Sequence, residues 1–150
     1  MLAGHLKLYR FLNKNRVRYL VIGGVACGIY GSPRVTVDVD IAIEPTIENT
    51  MRLHRALVKA GFGTAYLTTP EKILANEISI FDDYIKLDII TKPKGLDFKK
   101  AWSRKSVRDI KGVRVKFISL DDLIGSKVAS HRRIDIEDIK ILRKIKKRLK

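Results

Sequence analysis

The sequence predicts an α/β fold of the α+β kind, in which helices flank a small mixed β-sheet. Two observations predict this class: apolar segments with the alternation of strands recur along the chain, and segments with helical spacing precede and follow them. A length of 150 residues with 45% hydrophobic residues indicates one domain, residues 1–150, with a core of its own.

Composition excludes several classes of protein. No apolar run approaches the ~20 residues of a membrane span, and the N-terminus has no signal-peptide pattern, so we expect a cytoplasmic protein. The single cysteine, Cys27, excludes an intrachain disulfide and a zinc site built from cysteines. The absence of glutamine and the 31% of charged residues are typical of thermophile proteins.

The first half of the chain alternates between helices and strands. In order, it predicts a helix over 3–14, a strand over 18–22, a helix from Val25 to Tyr30, a strand over 37–43 and a helix over 47–60. The first strand is continuously apolar, as in a buried strand, and ends at Gly23-Gly24. The second alternates, so that Asp38 and Asp40 lie on the face opposite its apolar side chains.

The second half predicts two hairpins followed by two helices. These elements are strands 77–81 and 84–90 around Asp82-Asp83, strands 107–110 and 113–118 through Lys111-Gly112, and helices 120–130 and 135–149 packed on the domain. Asp88 lies in the first hairpin, on the face opposite Leu87 and Ile89.

The glycines and aspartates predict phosphoryl chemistry. Gly23 and Gly24 let the backbone approach a ligand closely, where a helix begins and presents N–H groups to an anion. Asp38 and Asp40 project to one side of a strand, where two carboxylates repel each other unless cations lie between them. A pair of Mg²⁺ or Mn²⁺ ions suits these oxygen ligands. Asp88 can supply a third carboxylate. Alone, each feature is also typical of an ordinary turn or a solvated strand edge.

In this order and spacing, the motifs resemble those of the DNA polymerase β-like nucleotidyltransferases, and among them the small, minimal nucleotidyltransferase proteins. Ile22-Gly23-Gly24, Asp38-Val39-Asp40 and the later Asp88 match that superfamily's signature position by position. The resemblance implies a palm-like fold and a metal-dependent transfer of an NMP from an NTP to an acceptor hydroxyl, with release of pyrophosphate. The acceptor would be an RNA end, a protein or a small molecule.

The resemblance also implies roles for these residues. Gly23 and Gly24 would hold the β- and γ-phosphates of the NTP. Asp38 and Asp40 would bridge two Mg²⁺ ions, with Mn²⁺ as an alternative. Asp88 would hold the metal near the acceptor hydroxyl and help to deprotonate it, so that catalysis rests on positioning and charge neutralisation.

A narrower similarity adds three candidate nucleotide-binding residues. Arg34-x-Thr36-x-Asp38-x-Asp40, together with Lys127 and the segment from Arg132 to Asp138, is similar to the AbiEii-toxin-like branch. Arg34 would contact a triphosphate or pair with an acid, Thr36 would contact the nucleotide or support the strand, and Lys127 would bind phosphate. This branch implies a partner toxin or antitoxin.

The formal net charge of +15 is concentrated in two blocks. Residues 92–116 hold ten Lys or Arg against two Asp, and residues 139–150 hold seven with no acid. Such blocks indicate a polyanionic partner, tRNA or another nucleic acid before a membrane, although solvated faces have the same composition. Trp102, inside the first block, would stack on a base or pack in the core. Two further interpretations are a regulatory or antitoxin-like binding module and a plain RNA-binding protein.

Overall fold

A single mixed sheet organises the computed structural model, which describes residues 3–33 and 36–149. Within these residues the strands are β1 (Tyr19–Ile22), β2 (Val39–Ile43), β3 (Ile78–Asp82), β4 (Lys86–Ile90), β5 (Ser106–Ile110) and β6 (Val113–Phe117). The α-helices are α1 (Ala3–Lys14), α2 (Gly23–Ile29), α3 (Ile47–Lys59), α4 (Pro70–Ala75), α5 (Phe98–Ser103), α6 (Leu120–Ser130) and α7 (Arg133–Arg148), and a 3-10 helix covers Gly63–Leu67. The predicted fold class is confirmed.

The sheet has the order β3-β4-β2-β1-β6-β5. The central strand β1 runs antiparallel to β2 and parallel to β6, and β2 runs parallel to β4. The two predicted hairpins, β3-β4 and β5-β6, form the edges of the sheet. Every residue of β1 is buried, which requires that both faces of the sheet centre are covered. In the described part of the chain, no helix has the length and apolar character needed to cross a membrane.

Element boundaries differ from the prediction where tertiary contacts decide them. The strand predicted over 37–43 begins only at Val39, because the pairing with β4 starts at Val39 and Leu87 and the pairing with β1 starts at Asp40 and Ile22. The helix predicted from Val25 begins at Gly23, directly after β1. The last helix begins at Arg133 rather than 135.

Two short helices, α4 and α5, were absent from the prediction. Each has six residues, too few for apolar periodicity to mark a helix. Each begins at a side-chain cap: the Thr69 hydroxyl accepts a hydrogen bond from the backbone of Lys72, and the Asp97 carboxylate accepts one from the backbone of Lys100.

Asn49 on α3 connects the start of β1 to the end of β2 through hydrogen bonds. Its side chain is fully buried, accepts a hydrogen bond from the backbone N–H of Arg18 at 2.8 Å, and donates to the carbonyls of Arg18 and Glu44 at 3.0 Å each. One amide group therefore satisfies three backbone groups where β1 begins and β2 ends.

We expect Asn49→Ala to lower the free energy of unfolding by about 2–4 kcal/mol, because buried backbone groups lose their partners. Urea denaturation followed by circular dichroism measures this change. Asn76→Ala is the control, since Asn76 is exposed, and it should unfold close to wild type. Equal stability of the two variants would contradict the role of Asn49.

Candidate active site

Strand register places the Asp40 and Asp88 carboxylates side by side. Asp40 on β2 is paired with Asp88 on β4, and on its other side with Ile22, the last residue of β1. Adjacent strands lie about 4.8 Å apart, and paired residues project from the same face of the sheet. The neighbours Val39, Leu87 and Ile89 are buried on the other face, which fixes the direction of both aspartates.

The electrostatics of this pair are unfavourable for two negative charges. Burial, followed by the charges of Asp88 and Asp38 and a hydrogen bond with Asp88, raises the pKa of Asp40 to about 6. The Oδ1 atom of Asp88 is buried and accepts no hydrogen bond from the described residues. A shared proton or a bound cation would relieve this repulsion.

Gly23 packs closely against the carboxylate of Asp40. Its φ of +66° lies in the left-handed region, and a Cβ at this position would overlap Asp40 Oδ2. Only glycine therefore allows β1 to turn directly into α2 while the Asp40 carboxylate lies against the turn.

A cleft of about 360 Å³ opens above these residues. Its lining includes Gly23, Asp40 and Asp88, together with the cationic side chains Lys92, Lys94, Lys127 and Arg132. The Arg132 side chain is 69% exposed, and its pKa is raised chiefly by a hydrogen bond with Asp135, with a smaller contribution from the charge of Asp40. The cleft therefore brings cations and a carboxylate pair into the lining of one cavity.

Lys92 and Lys94 were not singled out in the sequence as site residues. They lie directly after β4, in a loop anchored at Thr91, whose hydroxyl donates to the carbonyl of Asn76 at 2.7 Å. Gly95, with φ of +70°, packs so closely on α6 that a Cβ would approach that of Ala129 to 2.5 Å. One feature of the sequence could have pointed to them: this Lys-Pro-Lys-Gly segment closely follows, along the chain, the strand that contains Asp88.

Lys127 is held in a buried ionic network between α6 and α7. Its ammonium lies 2.8 Å from an Asp138 oxygen and 3.5 Å from an Asp135 oxygen, and all three side chains are buried. Asp135 also accepts hydrogen bonds from the Ser130 hydroxyl, the Arg132 backbone and the Arg132 guanidinium. Although burial alone would raise the pKa of Asp135, these hydrogen bonds hold it well below its usual range.

The structure brings some of the candidate residues together and leaves others apart. Gly23, Asp40, Asp88 and Lys127 line the cleft, whereas Gly24 is buried, Thr36 is half-buried and Asp38 is exposed just before β2. Arg34 lies outside the described residues. Within residues 3–33 and 36–149, no group of three or more His, Cys, Asp or Glu side chains is arranged to hold a metal ion.

Comparison with known proteins identifies the family of the chain. The chain belongs to the family described as "Nucleotidyltransferase of unknown function (DUF6036)", whose model matches residues 6–147. No curated protein matches the chain in sequence.

Solved structures share this fold. A nucleotidyltransferase-like antigenic protein from Paracoccidioides brasiliensis superimposes with a TM-score of 0.56 and 18% identity, over 93% of this chain and 76% of that one. A candidate nucleotidyltransferase from Thermotoga maritima superimposes with a TM-score of 0.54 and 16% identity, over 95% of this chain and 88% of that one. At these identities the likeness shows the fold alone.

We expect Gly23→Ala to destabilise the protein by about 2 kcal/mol or more, because alanine is strained at a positive φ and its methyl group would displace Asp40. Urea unfolding measures this change. Gly28→Ala in the same helix is the matched control: a Cβ there meets no atom within 4 Å, and its stability should equal or exceed wild type. Wild-type stability of Gly23→Ala would contradict the close fit.

Asp135→Asn should lower the free energy of unfolding by about 2–3 kcal/mol at neutral pH, because hydrogen bonds to an ionised group are lost. The native pKa is lowered, so the ionised group stabilises the fold above pH ~4, and this contribution disappears as the pH falls through the native pKa.

The stability difference between wild type and Asp135→Asn should accordingly shrink below pH ~4 in urea titrations repeated at several pH values. Glu137→Gln on the exposed side of α7 is the control and should stay within about 0.5 kcal/mol of wild type. A difference that grows on acidification would contradict the assignment.

Proposed function

We propose that the protein is a metal-dependent nucleotidyltransferase that moves an NMP from an NTP to an acceptor hydroxyl. The observation that carries this proposal is the Asp40–Asp88 pair, which strand register and the Gly23 turn bring together in a cleft that cations also line. The acceptor oxygen would bond to the α-phosphorus as the α–β phosphoanhydride bond breaks. The hydroxyl proton would leave, and pyrophosphate would depart.

The residues fit a magnesium ion. Asp88 Oδ1 is a buried oxygen that accepts no hydrogen bond from the described residues. The pKa of Asp40 is raised first by burial and then by the charges of Asp88 and Asp38, and a bound cation would offset that repulsion. Asp40 and Asp88 would hold Mg²⁺, and Asp38, close enough to act on Asp40 through its charge, would be a further ligand. When bound, Mg²⁺ or Mn²⁺ would neutralise charge on the phosphates.

The other cleft residues would act on the substrate directly. Lys92, Lys94 and Arg132 would attract the triphosphate, because their positive charges line the same cleft as the carboxylates. The Asp88 carboxylate would accept the acceptor's proton. We keep Gly24, Arg34 and Thr36 as proposed nucleotide contacts from the sequence. Lys127 is a weaker proposal, since its ammonium is already bonded to Asp138.

The narrower similarity to AbiEii-type toxins remains a proposal carried by the motif around Arg34 and by the closing Lys127–Asp138 segment. It would give the protein a toxin or antitoxin partner. A regulatory module of the same fold is the second candidate, favoured by one observation: no three-ligand metal group is preformed among the described residues. Such a module would bind NTP without transferring any part of it.

Transfer is tested by incubating the chain with Mg²⁺, a cell extract and each NTP, labelled either at the α- or at the γ-phosphate. We expect label from the α-position alone to enter RNA, protein or a small molecule. Asp40→Asn and Asp88→Asn should each reduce transfer by about 10²-fold or more, because each removes a charge from the reacting site.

Asp109→Asn is the matched control, since Asp109 is exposed on β5, and it should transfer label at the wild-type rate. Transfer of γ-label would indicate a kinase instead. Transfer that survives Asp40→Asn/Asp88→Asn would overturn the proposed site. NTP binding without any transfer would favour the regulatory module.

A further inference from the structure

A second and larger cavity, of about 780 Å³, lies away from the cleft between α1 and the start of β6. We call it the basic groove. Its lining includes Arg10, Phe11, Lys14, Val113, Arg114 and Lys116. The Asn13 side chain joins its two walls, because it donates to the carbonyl of Arg114 at 2.8 Å and accepts from the Tyr19 hydroxyl at 2.9 Å. The groove is thus part of the packed fold.

The charge of the groove is positive and largely uncompensated. Among the described residues, no carboxylate lies within ion-pair distance of its four cations. The nearest acidic neighbour by register is Asp109, paired with Arg114, and its carboxylate accepts a hydrogen bond from the backbone of Gly112 at 2.9 Å. Burial, then repulsion from Lys105 and Arg114, lowers the pKa of Lys116. A fold that keeps like charges together in a cavity favours an anionic ligand.

The groove continues into an aromatic cluster through Lys116. The Lys116 ammonium lies 5.3 Å from the ring centre of Tyr19 and 5.6 Å from that of Trp102. Lys105 lies 4.1 Å from the same Trp102 ring, which stacks on Phe98 with centroids 5.8 Å apart. Trp102 therefore packs on the protein and also remains half-buried beside three cations, the third being Arg18 at 5.7 Å from its ring centre.

We propose that the basic groove and Trp102 bind single-stranded RNA. The exposed cations on both walls, Arg10 and Lys14 on α1 and Arg114 on β6, would contact successive phosphates. Phe11 in the groove, and Trp102 next to it beyond Lys116, would contact unpaired bases.

Single strands fit these features better than other polyanions do. In a duplex the bases are stacked on one another, so Phe11 and Trp102 would have no base face to contact. An acidic peptide would match the cations but would leave the aromatic side chains unused. RNA is the polynucleotide that most often presents unpaired bases to a protein.

The groove and the cleft lie at opposite ends of the same two strands. β1 and β6 run parallel, with the groove at Val113, where β6 begins, and the cleft at Ile22, where β1 ends. A strand of four or five residues spans roughly 13–17 Å, which a few nucleotides can cover. RNA in the groove would be a natural acceptor for the proposed transfer. The binding itself does not depend on that function.

Fluorescence anisotropy with a labelled single-stranded RNA of about twelve nucleotides, at about 50 and about 200 mM salt, tests the proposal without NTP or Mg²⁺. Lys14→Ala/Arg114→Ala should weaken binding about tenfold or more and flatten the slope of log affinity against log salt by about 1.4. Arg55→Ala/Lys59→Ala removes the same charges from exposed positions on α3 and should bind like wild type.

Trp102 gives an independent readout because it is the single tryptophan of the chain. RNA should change its fluorescence in wild type and in Asp40→Asn, so that binding is scored even when transfer fails. Equal binding by the two double variants would overturn the proposal. So would unchanged Trp102 fluorescence, or equally strong competition by duplex RNA or polyglutamate. Circular dichroism of each variant checks that it is folded.

Discussion

The repulsion between Asp40 and Asp88 is the constraint on which the site depends. Each carboxylate sits on a strand whose other face is buried, so neither can turn away without moving the core. Burial and proximity raise the pKa of Asp40, and the glycine turn at residue 23 closes the remaining side. The sheet thus holds two repelling carboxylates close together, and a bound cation would reduce their repulsion. The rigid packing of the core prevents the carboxylates from moving apart.

The part of the cleft formed by α6 and α7 is held in place by a buried ionic network. Lys127, Asp135 and Asp138 compensate one another in the interior between α6 and α7, and Asp135 is further bonded to Ser130 and Arg132. Because this network fixes the start of α7, it also fixes the position from which Arg132 faces the carboxylates. The buried Lys127 is therefore paired with aspartates in the interior, whereas the exposed Arg132, five residues later, is available at the cleft.

The positive charge of the chain separates into distinct surfaces in the fold. Lys92 and Lys94 from the first basic block lie at the cleft, whereas Arg114 and Lys116 from the same block lie at the basic groove with Arg10 and Lys14 from α1. A block that is contiguous in sequence thus serves two sites, because the chain passes through α5 and β5 between them. The groove also includes residues that no basic run in the sequence contains.

The sequence alone determined the fold class and most element positions. It also placed Asp40 and Asp88 on the strand faces opposite their apolar neighbours and a turn at Gly23, because alternation fixes which face of a strand a side chain occupies and glycine marks turns. It could not fix that Asp38 lies outside β2, whose pairing with β4 begins at Val39 and Leu87. Nor could it show that Lys92, Lys94 and Arg132 share a cleft with the aspartates, or that the ammonium of Lys127 is already paired with Asp135 and Asp138. Those facts depend on strand order and on helix packing between distant segments, and only the tertiary structure decides them.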